Sequence, residues 1–134
     1  MKSIFSNVNG ALICTYIYKE DINEYRSDLS PEQEILQGCA RKLNDNIFVP
    51  PHKHLPVERS TVGTQESWII IEGKVIATLY DIDDSLLCEV ELTAGSCMIF
   101  FSGGHSLKVL ENNTFFYEFK NGPYYGFDTD KHNI

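Results

Sequence analysis

Ile47-Phe-Val-Pro-Pro-His-Lys-His54 and Glu66-Ser-Trp-Ile-Ile-Ile-Glu-Gly73 are the two stretches on which the reading of this chain turns. Side chains two apart on a strand point the same way, so a strand over Phe48 to His54 sets His52 and His54 side by side on one face. Trp68 to Ile71 is an unbroken apolar run rich in β-branched residues. It stops at Gly73, where the chain must turn, so Glu66 opens a second strand. His105 follows Ser102-Gly103-Gly104, a turn that aims its imidazole inward. The chain has four histidines, and only His132, in the tail, falls outside this constellation. His52, His54, Glu66 and His105 thus form a candidate set of three imidazoles and a carboxylate, which suits one divalent ion such as Zn, Fe, Mn or Ni.

Upstream, Ala11 to Tyr18 is a β-rich run that gives way to the charged stretch Lys19 to Arg26. Ser30-Pro31-Glu32 fits one short capped turn, and Glu34 to Leu43 fits a strand. Asn44-Asp45-Asn46 then makes a turn into the His pair, and Pro50-Pro51 place that strand at an edge or a bulge. Downstream, strands over Lys74 to Tyr80, Leu86 to Leu92, Met98 to Phe101, His105 to Leu110 and Thr114 to Lys120 are separated by short turns. Asp81 to Ser85 is one such turn, an acidic hairpin tip. Short strands at even spacing, with no long amphipathic helix, predict an all-β sandwich or barrel. Residues 69 and 71 lie on the outer face of their strand and are apolar, which predicts a second subunit over them, most simply in a symmetric homodimer.

The 134 residues make one domain, with residues 1–29 an N-terminal strand and loop and residues 30–134 the core and tail. Eleven basic residues against 19 acidic ones give a formal charge of −8, which repels a nucleic-acid backbone. No run has the length of a membrane helix and Met1-Lys-Ser-Ile-Phe lacks the core of a secretory signal, so the expected compartment is the cytoplasm, with no membrane partner. Cys14, Cys39, Cys88 and Cys97 are scattered without Cys-x-x-Cys spacing and read as reduced thiols.

Taken together, these motifs resemble those of the cupins, a family with a His-x-His pair, a glutamate, and a glycine after six further residues. Glu66 and Gly73 keep that last spacing. Gly95-Ser-Cys-Met-Ile99-Phe-Phe-Ser-Gly-Gly-His105 is similar to the second cupin motif, without its proline. The ending Phe119-Lys-Asn-Gly-Pro-Tyr124, with Asp130-Lys131 downstream, resembles WbuC-type cupins, small metalloproteins of bacterial polysaccharide gene clusters often described as sugar epimerases. The resemblance implies a double-stranded β-helix, or jelly roll, with the metal inside. The family spaces the pair and the glutamate more closely than here, where residues 55 to 65 intervene. Glu58 has the family's spacing from the pair, whereas Glu66 has the apolar run and the glycine; Glu66 is taken as the ligand and residues 55 to 65 as an inserted loop.

Glu118 and Lys120 share a strand face and, with Tyr124 after Gly-Pro, are the candidate catalytic side chains; a surface ion pair and a packing aromatic are their plain alternatives. Arg41, before the His pair, and Arg59, the only cation of the inserted loop, are the candidates to bind an anionic substrate. The resemblance implies a carbohydrate or nucleotide-sugar substrate and an epimerase or isomerase. In that chemistry a metal polarises a carbonyl while a side chain moves a proton at the adjacent carbon. An iron-dependent dioxygenase and a non-catalytic binding cupin share the same ligand set. Metal-free sugar epimerases of this fold use a His with an Asp and a Tyr, and the three candidate histidine ligands favour the metal.

Overall fold

The alternation of buried and exposed residues along Lys74–Tyr80 shows how the core is built. Val75, Ala77 and Leu79 are fully buried and the residues between them are not, the period-two pattern of a strand covered on one face. The computed structural model describes residues 1–134. The strands are β1 (Lys2–Phe5), β2 (Leu12–Ile17), β3 (Ser27–Asp28), β4 (Cys39–Ala40), β5 (Glu66–Glu72), β6 (Lys74–Tyr80), β7 (Leu86–Thr93), β8 (Cys97–Phe100), β9 (Gly104–Val109) and β10 (Phe115–Lys120). A four-residue helix, α1 (Phe127–Asp130), lies in the tail. The protein is all-β, and no helix is long and apolar enough to cross a membrane.

A five-stranded antiparallel sheet, ordered β1-β2-β8-β5-β10, packs on a three-stranded one, ordered β7-β6-β9; β3 and β4 pair separately. The main core lies between the two sheets. Cys14, Trp68, Ile70, Met98 and Phe100 come from the larger sheet, and Val75, Leu79, Val90 and Leu92 from the smaller. Each such side chain contributes about 1.5–3 kcal/mol on burial. Ile17, Leu29, Ile99 and Phe101 form a second cluster on the outer face of the larger sheet. There the Thr15 hydroxyl ties the strand to the overlying chain by donating to Leu29 O at 2.6 Å.

From β5 onward the strands fall where their sequence patterns predict. Gly73 takes φ +79° in the turn between β5 and β6, against Thr114, with no room for a Cβ. All four cysteines are free. Burial, with Cys88 nearby, pushes the Cys14 thiol up to about 12, and burial pushes Cys97 up to about 11, so both stay protonated.

Before β5 the expectations need correction. The strand over Glu34 to Leu43 shrinks to Cys39–Ala40, and the strand over Phe48 to His54 does not form. Residues 41–64 pair with neither sheet. Asn46 does turn, at φ +65°, but the segment after it stays exposed, with Phe48 78% and Val62 92% accessible. Pro50 and Pro51 remove two ladder donors from this stretch, and no neighbouring strand supplies the rest. The short strand β1, which had no clear signal in the sequence, pairs with β2 instead.

Candidate functional site

Glu66 and Trp68 are two residues apart on β5, so both face the interior between the sheets. His105 sits at the start of β9, paired in register with the buried Leu79, and faces in from the other sheet. The turn before it depends on Gly103, whose φ is +68° and whose missing Cβ would strike the Tyr80 carbonyl and Ile13. Across the gap between the sheets, His105 Nε2 lies 3.3 Å from Glu66 Oε1.

The surroundings fix both side chains. The Trp68 indole Nε1–H donates to the same Glu66 oxygen at 2.7 Å. The His105 ring stacks on Phe100, with centroids 4.0 Å apart and an interplanar angle of 20°, and meets the Trp68 ring edge-on at 5.1 Å. Burial raises the Glu66 carboxyl, but the hydrogen bond and charge of His105, the Trp68 bond and the Lys120 charge outweigh it and hold the group below its usual value. Glu66 is therefore an ionised carboxylate that orients an imidazole. With Nε2 committed to Glu66, Nδ1 takes no partner from the protein. The pair borders a cavity of about 610 Å³, whose wall also carries Asp84, Lys131 and His132.

The sequence-predicted residues are thus brought together in part. Glu66 and His105 meet. His52 and His54 are neighbours, with ring centroids 5.6 Å apart, but on the exposed segment, where the His52 ring contacts Pro50 O at 3.0 Å. No three His, Cys, Asp or Glu side chains are grouped to hold a metal ion, so the four candidate ligands do not form one centre in this conformation. Glu58 is exposed on the same segment.

Lys120 is paired in register with Glu66 and Glu118 with Trp68, so both share the inner face of the larger sheet. Glu118 is exposed at its edge. The Lys120 ammonium is 2.7 Å from Asp130 and 4.4 Å from the Tyr124 ring centroid. It is tied up by these neighbours rather than free in the cavity. Arg41 lies 5.9 Å from the Tyr25 ring centroid and Arg59 bonds its own loop at Val57 O, 3.4 Å away; neither lines the cavity.

Two contributors escaped the sequence reading. Trp68 had a signal, because a residue two beyond Glu66 on a strand must share its face. Asp130 entered only as part of the Asp130-Lys131 resemblance, with no partner assigned, since only the folded tail brings it to Lys120 and Thr64. Comparison with protein-family models, with curated proteins and with solved structures gives no match for this chain.

Proposed function

We propose that the chain is a cupin-like jelly roll whose reactive centre is the Glu66–His105 pair, and that it moves a proton next to the carbonyl of a carbohydrate. The observation that carries this reading is an imidazole held at Nε2 by an ionised, buried carboxylate, with Nδ1 free, beside a cavity large enough for a sugar. A carboxylate that fixes tautomer and orientation leaves the other ring nitrogen as a base. His105 takes the proton from the carbon beside the carbonyl as the C–H electron pair passes to the carbonyl oxygen in an enediolate. The hydroxyl proton of that carbon moves to this oxygen, and the same nitrogen returns the carbon proton to the former carbonyl carbon, which completes isomerisation, or to the carbon it left, which gives exchange alone. One base on one side of the substrate suits isomerisation better than a two-base epimerisation.

The carboxylates around the cavity favour a neutral sugar over a nucleotide diphosphate. Lys131 is the cation in the wall, against Glu66, Asp81, Asp84 and Asp130, and an anionic substrate would need Arg59 brought in from the exposed segment. The test is solvent deuterium incorporation, followed by NMR, on a panel of free ketoses and nucleotide-linked 4-keto sugars. Exchange that disappears in His105→Ala and falls at least about 100-fold in Glu66→Gln supports the assignment. Oxygen uptake with added iron points to a dioxygenase, and ligand binding without either reaction to a binding module.

Metal binding is the second reading, and the closeness of His52 to His54 favours it. β9 and β10 each end a sheet with one unpaired edge, and residues 41–64 expose Phe48, Leu55 and Val62 while pairing with neither sheet. An unpaired edge is a template for another strand. Docking of this segment on the β9 edge would carry the two histidines toward His105 and Glu66. Zinc titration by calorimetry tests this: saturable binding lost in both His54→Ala and His105→Ala supports one shared centre, and binding indifferent to His105 rejects it.

A further inference from the structure

Past Asn121, whose N–H donates to Gln65 O at 3.3 Å, the chain leaves β10 and makes no further backbone hydrogen bond to either sheet. The two bonds that follow, from Thr129 N–H to Gly126 O and from Lys131 N–H to Phe127 O, stay within the segment. Side chains hold it to the body instead. Asp130 Oδ2 lies 2.7 Å from Lys120 Nζ, and Asp130 Oδ1 accepts from the Thr64 hydroxyl at 3.0 Å. The two side chains of this ion pair are largely shielded, at 22% and 13% exposure. At the far end, Ile134 fills the space above Gly104 that any Cβ would need, where its Cδ1 would stand 2.7 Å from that atom. Between these anchors Asp130, Lys131, His132 and Ile134 wall the cavity that holds Glu66 and His105. Gly126 precedes them at φ +107°, a conformation other residues rarely adopt, in open space.

We propose that residues 126–134 are a strap hinged at Gly126, and that the Asp130–Lys120 latch governs access to His105. A segment held by a few side-chain contacts opens locally at far lower free energy than a laddered strand. The charge-assisted pair is the strongest of those contacts, so it sets the fraction of time the strap is open. Because Asp130 also accepts from Thr64, release of the latch removes one of the two side-chain bonds at the end of the 41–64 segment, the other being from Asn121 Nδ2 to Gly63 O at 3.1 Å. A ligand enters and leaves the cavity through this opening, and the wall that Lys131 and His132 provide exists only while the strap is down.

Carbethoxylation by diethyl pyrocarbonate, resolved residue by residue by mass spectrometry, reads the access directly and needs neither substrate nor activity. His52 and His54 are exposed and serve as internal references. In Asp130→Asn the rate at His105 should rise about tenfold or more, the factor expected from losing a charge-assisted hydrogen bond, with His52 and His54 unchanged. A His105 rate equal to that of the unsubstituted chain, or one that rises in step with His52 and His54, overturns the proposal. Should Asp130→Asn fail to fold, Lys120→Met removes the other half of the latch and is read by the same criteria.

Discussion

Trp68 Nε1 and Glu66 Oε1 are joined by a 2.7 Å hydrogen bond within one strand, and the oxygen that accepts it is the one facing His105. The indole thus serves the site twice, with its N–H on the carboxylate and its ring against Phe100 and His105. Trp68→Phe keeps most of the packing and removes the donor, leaving a buried carboxylate one bond short. The expected loss is about 1–3 kcal/mol in urea unfolding. An unchanged midpoint would mean that the N–H contributes nothing.

The acid side of the stability profile should depend on Asp81. Burial raises its carboxyl, but the Ser6 hydroxyl and the N–H groups of Ile82, Asn7 and Val8 outweigh this and hold it below the usual carboxylate value. A group whose folded pKa is depressed stabilises fully above its unfolded value, about 3.9, and loses that contribution as pH falls through the folded value. Urea midpoints from pH 6 to pH 2 should fall on the acid side of about pH 4. Asp81→Asn should be less stable at pH 6, and the gap from the unsubstituted chain should close toward pH 2.

Tyr117 and Phe119 stand on the outer face of β10 beside Ile69 of β5, with Phe115 against Tyr117 and Ile71 also exposed. This is the face that the sequence pattern expects a second subunit to cover. On that reading the chain sediments as a homodimer at micromolar concentration, and Tyr117→Glu, which places a charge in the middle of the patch, shifts it to monomer without loss of folding. A monomeric unsubstituted chain would remove the case for this interface.

The exposed segment offers a test of the metal reading independent of activity. Residues 41–64 pair with neither sheet, so their amides should exchange with solvent within seconds in chelator-treated protein. With zinc added, amides near His52 and His54 should slow by about tenfold or more if the segment docks as a strand. Equal exchange with and without zinc would leave the two histidines as surface residues.

Leu79 offers a measure of the core. It is fully buried between the sheets, and Leu79→Ala should cost about 2–5 kcal/mol, read from denaturant unfolding. Its register partner is His105, so the cavity left behind should also loosen the imidazole and broaden its ring resonances.

Much of this architecture was legible residue by residue. Trp68-Ile-Ile-Ile71 before Gly73, the alternation along Lys74–Tyr80 and the glycines ahead of His105 each carry a local cause: β-branched packing, one covered face, or a turn that needs positive φ. Those causes act within a few residues, so strands β5 to β10 followed from them, and with them the inward direction of Glu66 and His105. What the local pattern could not decide was pairing. The apolar residues around Pro50-Pro51 fit an edge strand as a pattern, but a strand exists only when a neighbour accepts its hydrogen bonds, and two prolines reduce what this stretch has to offer. Asp130 was visible only through the Asp130-Lys131 resemblance and its partners were not, because its role arises from contact with Lys120 and Thr64, the latter 66 positions away in the chain. Periodicity and turn chemistry set which face each side chain takes; only the packed structure determined which faces met, leaving Glu66 with His105 and the His52–His54 pair outside.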